Sequence, residues 1–222
     1  SHIHLWMQMV KSFHNMHRKK NLQHSKRKQT NQRHLLTIAG LDPSLSNWGV
    51  VKGTLDIIEG YFDVDSLHLI HPDKNKKTKM RQNSKDVLSA QQLYKGNIEL
   101  LHDVDIVIAE LPTGSQSARA SAAYGICMGI VGALTLNLDN FIQVTPMDVK
   151  KVVGNNNPTK SEMIDWAVDM HPDANWPLYK RDRSWYISEA KAEHMADALA
   201  AIYAGAETKQ FLNLINQYKD SL

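Results

Sequence analysis

Four residues in this sequence are of the types that grip a hard divalent cation, and their surroundings place them where they can meet: Asp42, Glu110, His194 and Asp197. Asp42 closes a short apolar run, 35–40, that reads as a buried strand, and Pro43 behind it marks a turn. Glu110 closes Ile106-Val107-Ile108-Ala109, which is apolar at every position, as a central strand covered on both faces should be. Carboxylates at the ends of neighbouring strands come within a few ångströms of each other, since adjacent strands lie about 4.8 Å apart. Two bare carboxylates so close repel each other and are costly to desolvate. A cation between them reverses the balance, and Mg²⁺ takes oxygen ligands while keeping waters for chemistry. His194 and Asp197 stand three apart in a stretch that is otherwise small and apolar. That spacing puts both on one helical face, and polar groups on a buried face need a partner. A metal shared with Asp42 and Glu110 is such a partner. Singly, each feature has a plainer reading: a turn residue, a solvated strand end, a chance helical pair. The ordered set is what carries the metal-site expectation.

The elements that must position these residues follow from the apolar pattern. Strands are expected over 35–40, 48–55 and 57–70, joined by short connections into an antiparallel meander. Over 81–102, Val87, Leu88, Leu93, Ile98 and Leu101 stand close to helical spacing, which predicts an amphipathic helix. A strand over 104–111 and a helix over 115–136 come next. The helix is crowded with Ala and Gly, which predicts close backbone approach to the sheet or to a second copy of the chain. A strand at 141–144 is closed by Pro146. Thr159-Lys160-Ser161-Glu162 is a capping box that opens a helix running to Met170. A loop with two prolines spans 171–187, a helix spans 189–204 and ends at Gly205, and an amphipathic helix finishes the chain. The order predicts an α/β fold: a mixed five-stranded sheet, part meander and part parallel, with helices on both faces. That is the arrangement of the ribonuclease H-like fold.

A chain of 222 residues is sized for one domain and an appendage. Residues 1–34 hold eight of the 26 Lys and Arg, six His and no acid, which leaves 18 basic against 23 acidic residues in the remainder. A basic, His-rich arm, 1–34, on a mildly acidic globular domain, 35–222, is the predicted organisation. The arm suits a polyanion, because each neutralised phosphate releases counterions. Its plainer reading is a solvated tail, partly non-native at its Ser-His start. A short helix over 5–16 and weak metal chelation by its histidines are the other readings of that segment. Cys127 is the single cysteine, so no intrachain disulfide forms, and a reducing cytoplasmic compartment is expected. No apolar run reaches the roughly 18 residues of a membrane span, so no membrane partner is expected.

Four stretches together resemble the RuvC family of Holliday junction resolvases. Ile38-Ala39-Gly40-Leu41-Asp42-Pro43-Ser44 with Trp48-Gly49-Val50 resembles the family's first motif, and Ile106 through Glu110 its second. Thr145-Pro146-Met147-Asp148-Val149-Lys150, with Gly154 and Lys160-Ser161, resembles the segment leading to its DNA-contacting helix. Ala192-Glu193-His194-Met195-Ala196-Asp197-Ala198 resembles its last motif. The match spans about residues 35–205, and the stretch from Lys76 to Asp86 resembles divergent phage- and plasmid-borne members, which points to a bacterial or phage-infected cell.

The resemblance implies a homodimeric endonuclease that nicks two opposing strands of a four-way junction. It implies two Mg²⁺ ions, with Mn²⁺ able to substitute: Asp42 bridges both, Glu110 holds one, and His194 and Asp197 hold the other. It places Lys150 and Lys160 on DNA phosphates. One departure stands out: some members carry an aromatic wedge three residues after the Glu, where this chain has Thr113.

Independently of the resemblance, residues 176–186 mix Lys180, Arg181 and Arg183 with aromatics, a composition that grips unpaired nucleic acid. The three cations are expected to touch DNA, and Trp176 and Trp185 to pack the loop onto the core. Two ions about 4 Å apart can activate the attacking water and stabilise the leaving oxygen of a phosphodiester, with His194 a ligand or a proton acceptor. The rival functions are a flap or fork nuclease and a junction binder that does not cut. An actin-like ATPase would need an Asp in a glycine-rich second phosphate loop, and Leu111-Pro112-Thr113-Gly114 has none.

Overall fold

The computed structural model describes residues 34–73, 80–114, 117–155 and 157–222. The expectations for the arm at 1–33, and the part of the Lys76–Asp86 resemblance that lies at 76–79, fall outside these residues. His34, the last residue assigned to the arm, is tied to the domain: its carbonyl accepts a hydrogen bond from Ile57 N at 3.0 Å.

Five strands form one sheet in the order β3-β2-β1-β4-β5. They are β1 (Leu35–Asp42), β2 (Trp48–Asp56), β3 (Tyr61–Ile70), β4 (Ile106–Glu110) and β5 (Phe141–Val144). The first three pair antiparallel, and β1–β4 and β4–β5 pair parallel. This is the predicted mixed sheet. The parallel pairs exist because helices carry the chain across the sheet: α1 (Gln82–Leu101) between β3 and β4, and α2 (Ala118–Thr135) between β4 and β5.

The pleat sends alternate residues of each strand into two cores. Ala39, Leu41, Val107 and Ala109 meet Leu93 and Leu101 of α1 and Cys127, Ile130, Val131 and Leu134 of α2. Ile38, Val51, Ile106 and Ile108 face the other way, onto α3 (Pro146–Val152), α4 (Lys160–Met170), α5 (Glu189–Ala206) and α6 (Lys209–Asp220). The central helix of that second layer is α5, where Ala192, Ala196, Ala198, Leu199, Ala200 and Ala201 are fully buried. Small side chains let it lie close to the sheet. Methyl groups at Gly40 and Gly49 would overlap the backbone carbonyls of Ala198 and His194 respectively.

Four expectations need correction. Pro146 does not only end β5; it is the first residue of α3, where its missing N–H costs nothing, and Thr145 and Asp148 form a capping box around it. Gly205 does not end α5; it lies inside the helix, because a Cβ there would come within 2.6 Å of Ile108 Cγ2. The region 171–187 is not only loop, since it holds a separate two-stranded hairpin, β6 (Leu178–Arg181) and β7 (Ser184–Ile187). Finally, α2 is long and apolar enough, by length and composition alone, to cross a membrane. Here its Cys127, Ile130, Val131 and Leu134 pack into the domain. Its Gly125, Gly129 and Gly132 face away from the sheet, with nothing within 4 Å of the position a Cβ would take. Close approach to the sheet is therefore not their role.

Candidate active site

Strand parity decides which way the two carboxylates point. Asp42 shares the face of Ile38 and Gly40, and Glu110 shares that of Ile106 and Ile108, so both look toward α5. The β1–β4 register pairs Leu41 with Ala109, which makes Asp42 and Glu110 neighbours one step further along. Asp42 is also opposite Gly49 of β2. Gly49, Asp42 and Glu110 thus form a row across three strands at one end of the sheet. Because Gly49 lacks a side chain, the backbone of His194 settles directly onto that row.

His194 meets Asp42: Nδ1 and Oδ2 are 2.7 Å apart, with both side chains less than a fifth exposed. Asp197, one turn further along α5, feels the charges of Asp42 and Glu193. Burial, followed by repulsion from Asp42 and Asp197, pushes Glu110 up to about 8, against a smaller opposing pull from Lys150. Burial, followed by Asp42 and Glu193, pushes Asp197 up to about 7. Burial works against a charged His194, but the hydrogen bond and charge of Asp42, with help from Glu193 and Asp197, more than offset it and hold the imidazole above its usual range. Neither Glu110 nor Asp197 has a hydrogen bond or ion pair with another described residue.

These are carboxylates crowded with too little counter-charge to offset burial and mutual repulsion, and a hard cation fits the donor set of three carboxylates and one imidazole. The side chains as they stand are not drawn into a closed cage. Among the described residues no group of three or more His, Cys, Asp and Glu is gathered tightly enough to hold an ion. Asp42 and His194 are engaged with each other instead.

The cations expected to hold DNA occupy two places. Lys150, exposed on α3, acts electrostatically on Glu110. Lys160, at the start of α4, pairs with Glu193 at 2.6 Å and also feels Asp197. Both stand at the edge of the acidic row. Lys180, Arg181 and Arg183 sit on the hairpin that leads into α5. Trp176 packs as expected, buried with its Nε1 donating to the His171 carbonyl at 2.9 Å. Trp185 does not: it is 65% exposed.

Sequence reasoning passed over Glu193 and Gly49. Glu193 lies beside His194 and links Lys160 to the site, yet a single acid next to a metal motif looks like any solvated helix residue. Gly49 was visible within Trp48-Gly49-Val50, but its role needs the register of β1 against β2.

No protein-family model matches this sequence, and no curated protein matches it. Solved structures do. RuvC of T. thermophilus in complex with a Holliday junction substrate aligns at TM-score 0.53 and 14% identity, over 76% of this chain and 93% of that one. A second Thermus thermophilus RuvC structure aligns at 0.52 and 16% identity, over 82% and 97% of the two chains. The yeast mitochondrial Holliday junction resolvase Ydc2 aligns at 0.50 and 12% identity, over 83% and 86%. At such identities the likeness is one of fold, and the chain has the ribonuclease H-like fold of these resolvases.

Proposed function

We propose that this chain, with the fold of the RuvC-type Holliday junction resolvases, is a divalent-metal-dependent endonuclease that cuts branched DNA at four-way junctions. The observation that carries the reading is the crowding of half-buried carboxylates at one end of the sheet, Asp42 and Glu110 on the strands with His194 and Asp197 laid over them by α5, of which Glu110 and Asp197 have no hydrogen-bond or ion-pair partner among the described residues. In this reading Asp42 and Glu110 would hold one Mg²⁺ and Asp42, His194 and Asp197 the other, and Mn²⁺ would be able to replace either. Two such ions, when bound, supply charge relief on the phosphoryl oxygens and activation of the attacking water. The protein's own groups do the rest. Asp42 accepts a hydrogen bond from His194 Nδ1, which orients the ring. Nε2, with no hydrogen-bond partner among the described residues, is then the nitrogen left either to ligate the ion or, with the other residues holding it, to take a proton. Lys150 and Lys160 flank the carboxylates and attract the phosphates on either side of the scissile bond. A second copy of the chain, needed for paired nicks, would seat on the outward Gly125-Gly129-Gly132 face of α2.

Thr113 is exposed where some resolvases carry an aromatic wedge, and this favours one second reading, a flap or fork nuclease. Nicking of four-way junctions, flaps and linear duplex in Mg²⁺ and in Mn²⁺ separates the two. The four-way junction should be cut fastest, and Asp42→Asn should lose cleavage by at least a hundredfold while still shifting the junction in a gel. Retained nicking by Asp42→Asn would remove the metal-site assignment. Flap cleavage outpacing junction cleavage would favour the second reading.

A further inference from the structure

The hairpin of β6 and β7 is built unlike the rest of the fold. It forms its own two-stranded sheet, separate from the five-stranded one. Every residue from Leu178 to Tyr186 is exposed, including Trp185 at 65%, Tyr186 at 47% and Tyr179 at 45%. Isolated two-stranded hairpins are marginal in water, and large exposed aromatics are costly unless something covers them.

Its base is nevertheless firmly set. Ser188 N donates to the Pro177 carbonyl at 2.7 Å, Ile187 packs against the core, and Trp176 is buried beneath. Cross-strand pairs order the blade. Tyr179 and Tyr186 face each other with ring centroids 5.9 Å apart, and Lys180 lies 6.0 Å above the Trp185 ring. The tip holds two residues in the left-handed region, Asp182 (φ 49°) and Arg183 (φ 66°). Such a turn favours Asn-Gly or Asp-Gly, so an Arg at the second position strains the backbone where Gly would not. A cation is thereby presented at the outermost point. Arg181 adds a second cation, beside Asp182 at 3.4 Å.

We infer that this hairpin is a stacking blade that takes unpaired nucleotides at a DNA branch point, with Trp185 as the platform and Lys180, Arg181 and Arg183 on the flanking phosphates. The inference rests on the DNA reading of the acidic row and deepens it. Exposed aromatics offer every base a surface on which to stack, and interleaved cations follow the backbone. A β-ribbon reading a duplex groove would instead present hydrogen-bonding side chains to base edges. The placement fits as well. β7 runs straight into α5, and the hairpin base is about 8 Å of helix away from His194, at 1.5 Å per residue. The blade is therefore rooted about a turn and a half of α5 from His194, and its exposed aromatics offer the stacking surface that Thr113 lacks.

The test uses the full chain and two variants, Trp185→Ala and Trp185→Phe, with three probes: a four-way junction, a (dT)20 single strand and a linear duplex. Trp185→Ala should weaken binding to the junction and to (dT)20 by roughly tenfold, leave duplex affinity unchanged, and reduce the rise of a 2-aminopurine placed at the junction centre. Trp185→Phe should restore most of the loss. Because Trp185 is exposed, an unaltered thermal midpoint is expected in both variants. Equal weakening on duplex would make the hairpin a groove binder and overturn the stacking role. Unchanged binding on all three probes would overturn the proposal outright while leaving the nuclease reading intact, provided wild type nicks the junction. If wild type neither binds nor nicks branched DNA, both fall together.

Discussion

Glu110 and Asp197 carry the clearest signature of an unmet electrostatic need. Burial and like charge hold them at about 8 and about 7, whereas carboxyls in an unfolded chain titrate near 4. Between about pH 4 and about pH 8 the metal-free folded protein therefore binds more protons than the unfolded chain, and its stability falls as pH rises through that window. His194 acts with the same sign, because an imidazole held above its usual range contributes stability that is lost as pH climbs through its folded value. In the proposed reading a divalent ion would replace the missing protons as the partner of these groups. Mn²⁺ or Mg²⁺ should accordingly raise the thermal midpoint by several degrees at about pH 8 and scarcely at about pH 5.5. Metal-free Glu110→Gln should be more stable than wild type at about pH 8 by on the order of 1–2 kcal/mol. Equal metal stabilisation at both pH values, or a wild type that gains stability with pH, would contradict this. The residue types were readable without coordinates because carboxylates at strand ends and His–Asp at helical spacing leave a pattern. The hydrogen bond between Asp42 and His194 left none, since it joins positions 152 residues apart.

α5 decides the geometry at the scale of elements, and glycines in the sheet decide where α5 sits. A methyl group at Gly49 would overlap the His194 carbonyl, a backbone atom that cannot move without the helix. Gly49→Ala should therefore cost about 1–3 kcal/mol and depress nicking more than junction binding, because it lifts His194 and Asp197 off Asp42. Gly96→Ala is the control: its methyl group would meet only the flexible Ile70 side chain, at 3.1 Å, and the change should stay under about 1 kcal/mol. Denaturation and single-turnover nicking together read both; a Gly49→Ala protein as stable and active as wild type would remove the close-approach account. The strands and long helices were legible because their apolar periods are strong. The elements that escaped share a cause. In α3 a proline reads as a stop, although at a first helical position it starts one. In the hairpin the turn is Asp182-Arg183, without the glycine that announces such turns. Gly205 reads as a helix end, although Ile108 explains its presence.

Taken whole, the molecule is a sheet covered on both faces, with α1 and α2 on one side and α3 to α6 on the other, and its proposed chemistry lies at one end of β1 and β4. The mixed topology followed from three adjacent strands and then strands alternating with helices, which permit few arrangements. The role of α2 did not follow, because a run of Ala and Gly is equally suited to a sheet and to a second subunit, and only the coordinates show its glycines facing outward. The central claim is that chain segments around residues 42, 110 and 194–197 close on shared divalent ions. Fe²⁺ loaded in place of Mg²⁺, with ascorbate and peroxide, generates hydroxyl radicals that cut the backbone close to the ion. Cuts mapped by mass spectrometry should cluster at those three segments and disappear in Asp42→Asn. Cuts confined to the histidines of residues 1–34, or a pattern unchanged by Asp42→Asn, would contradict the account.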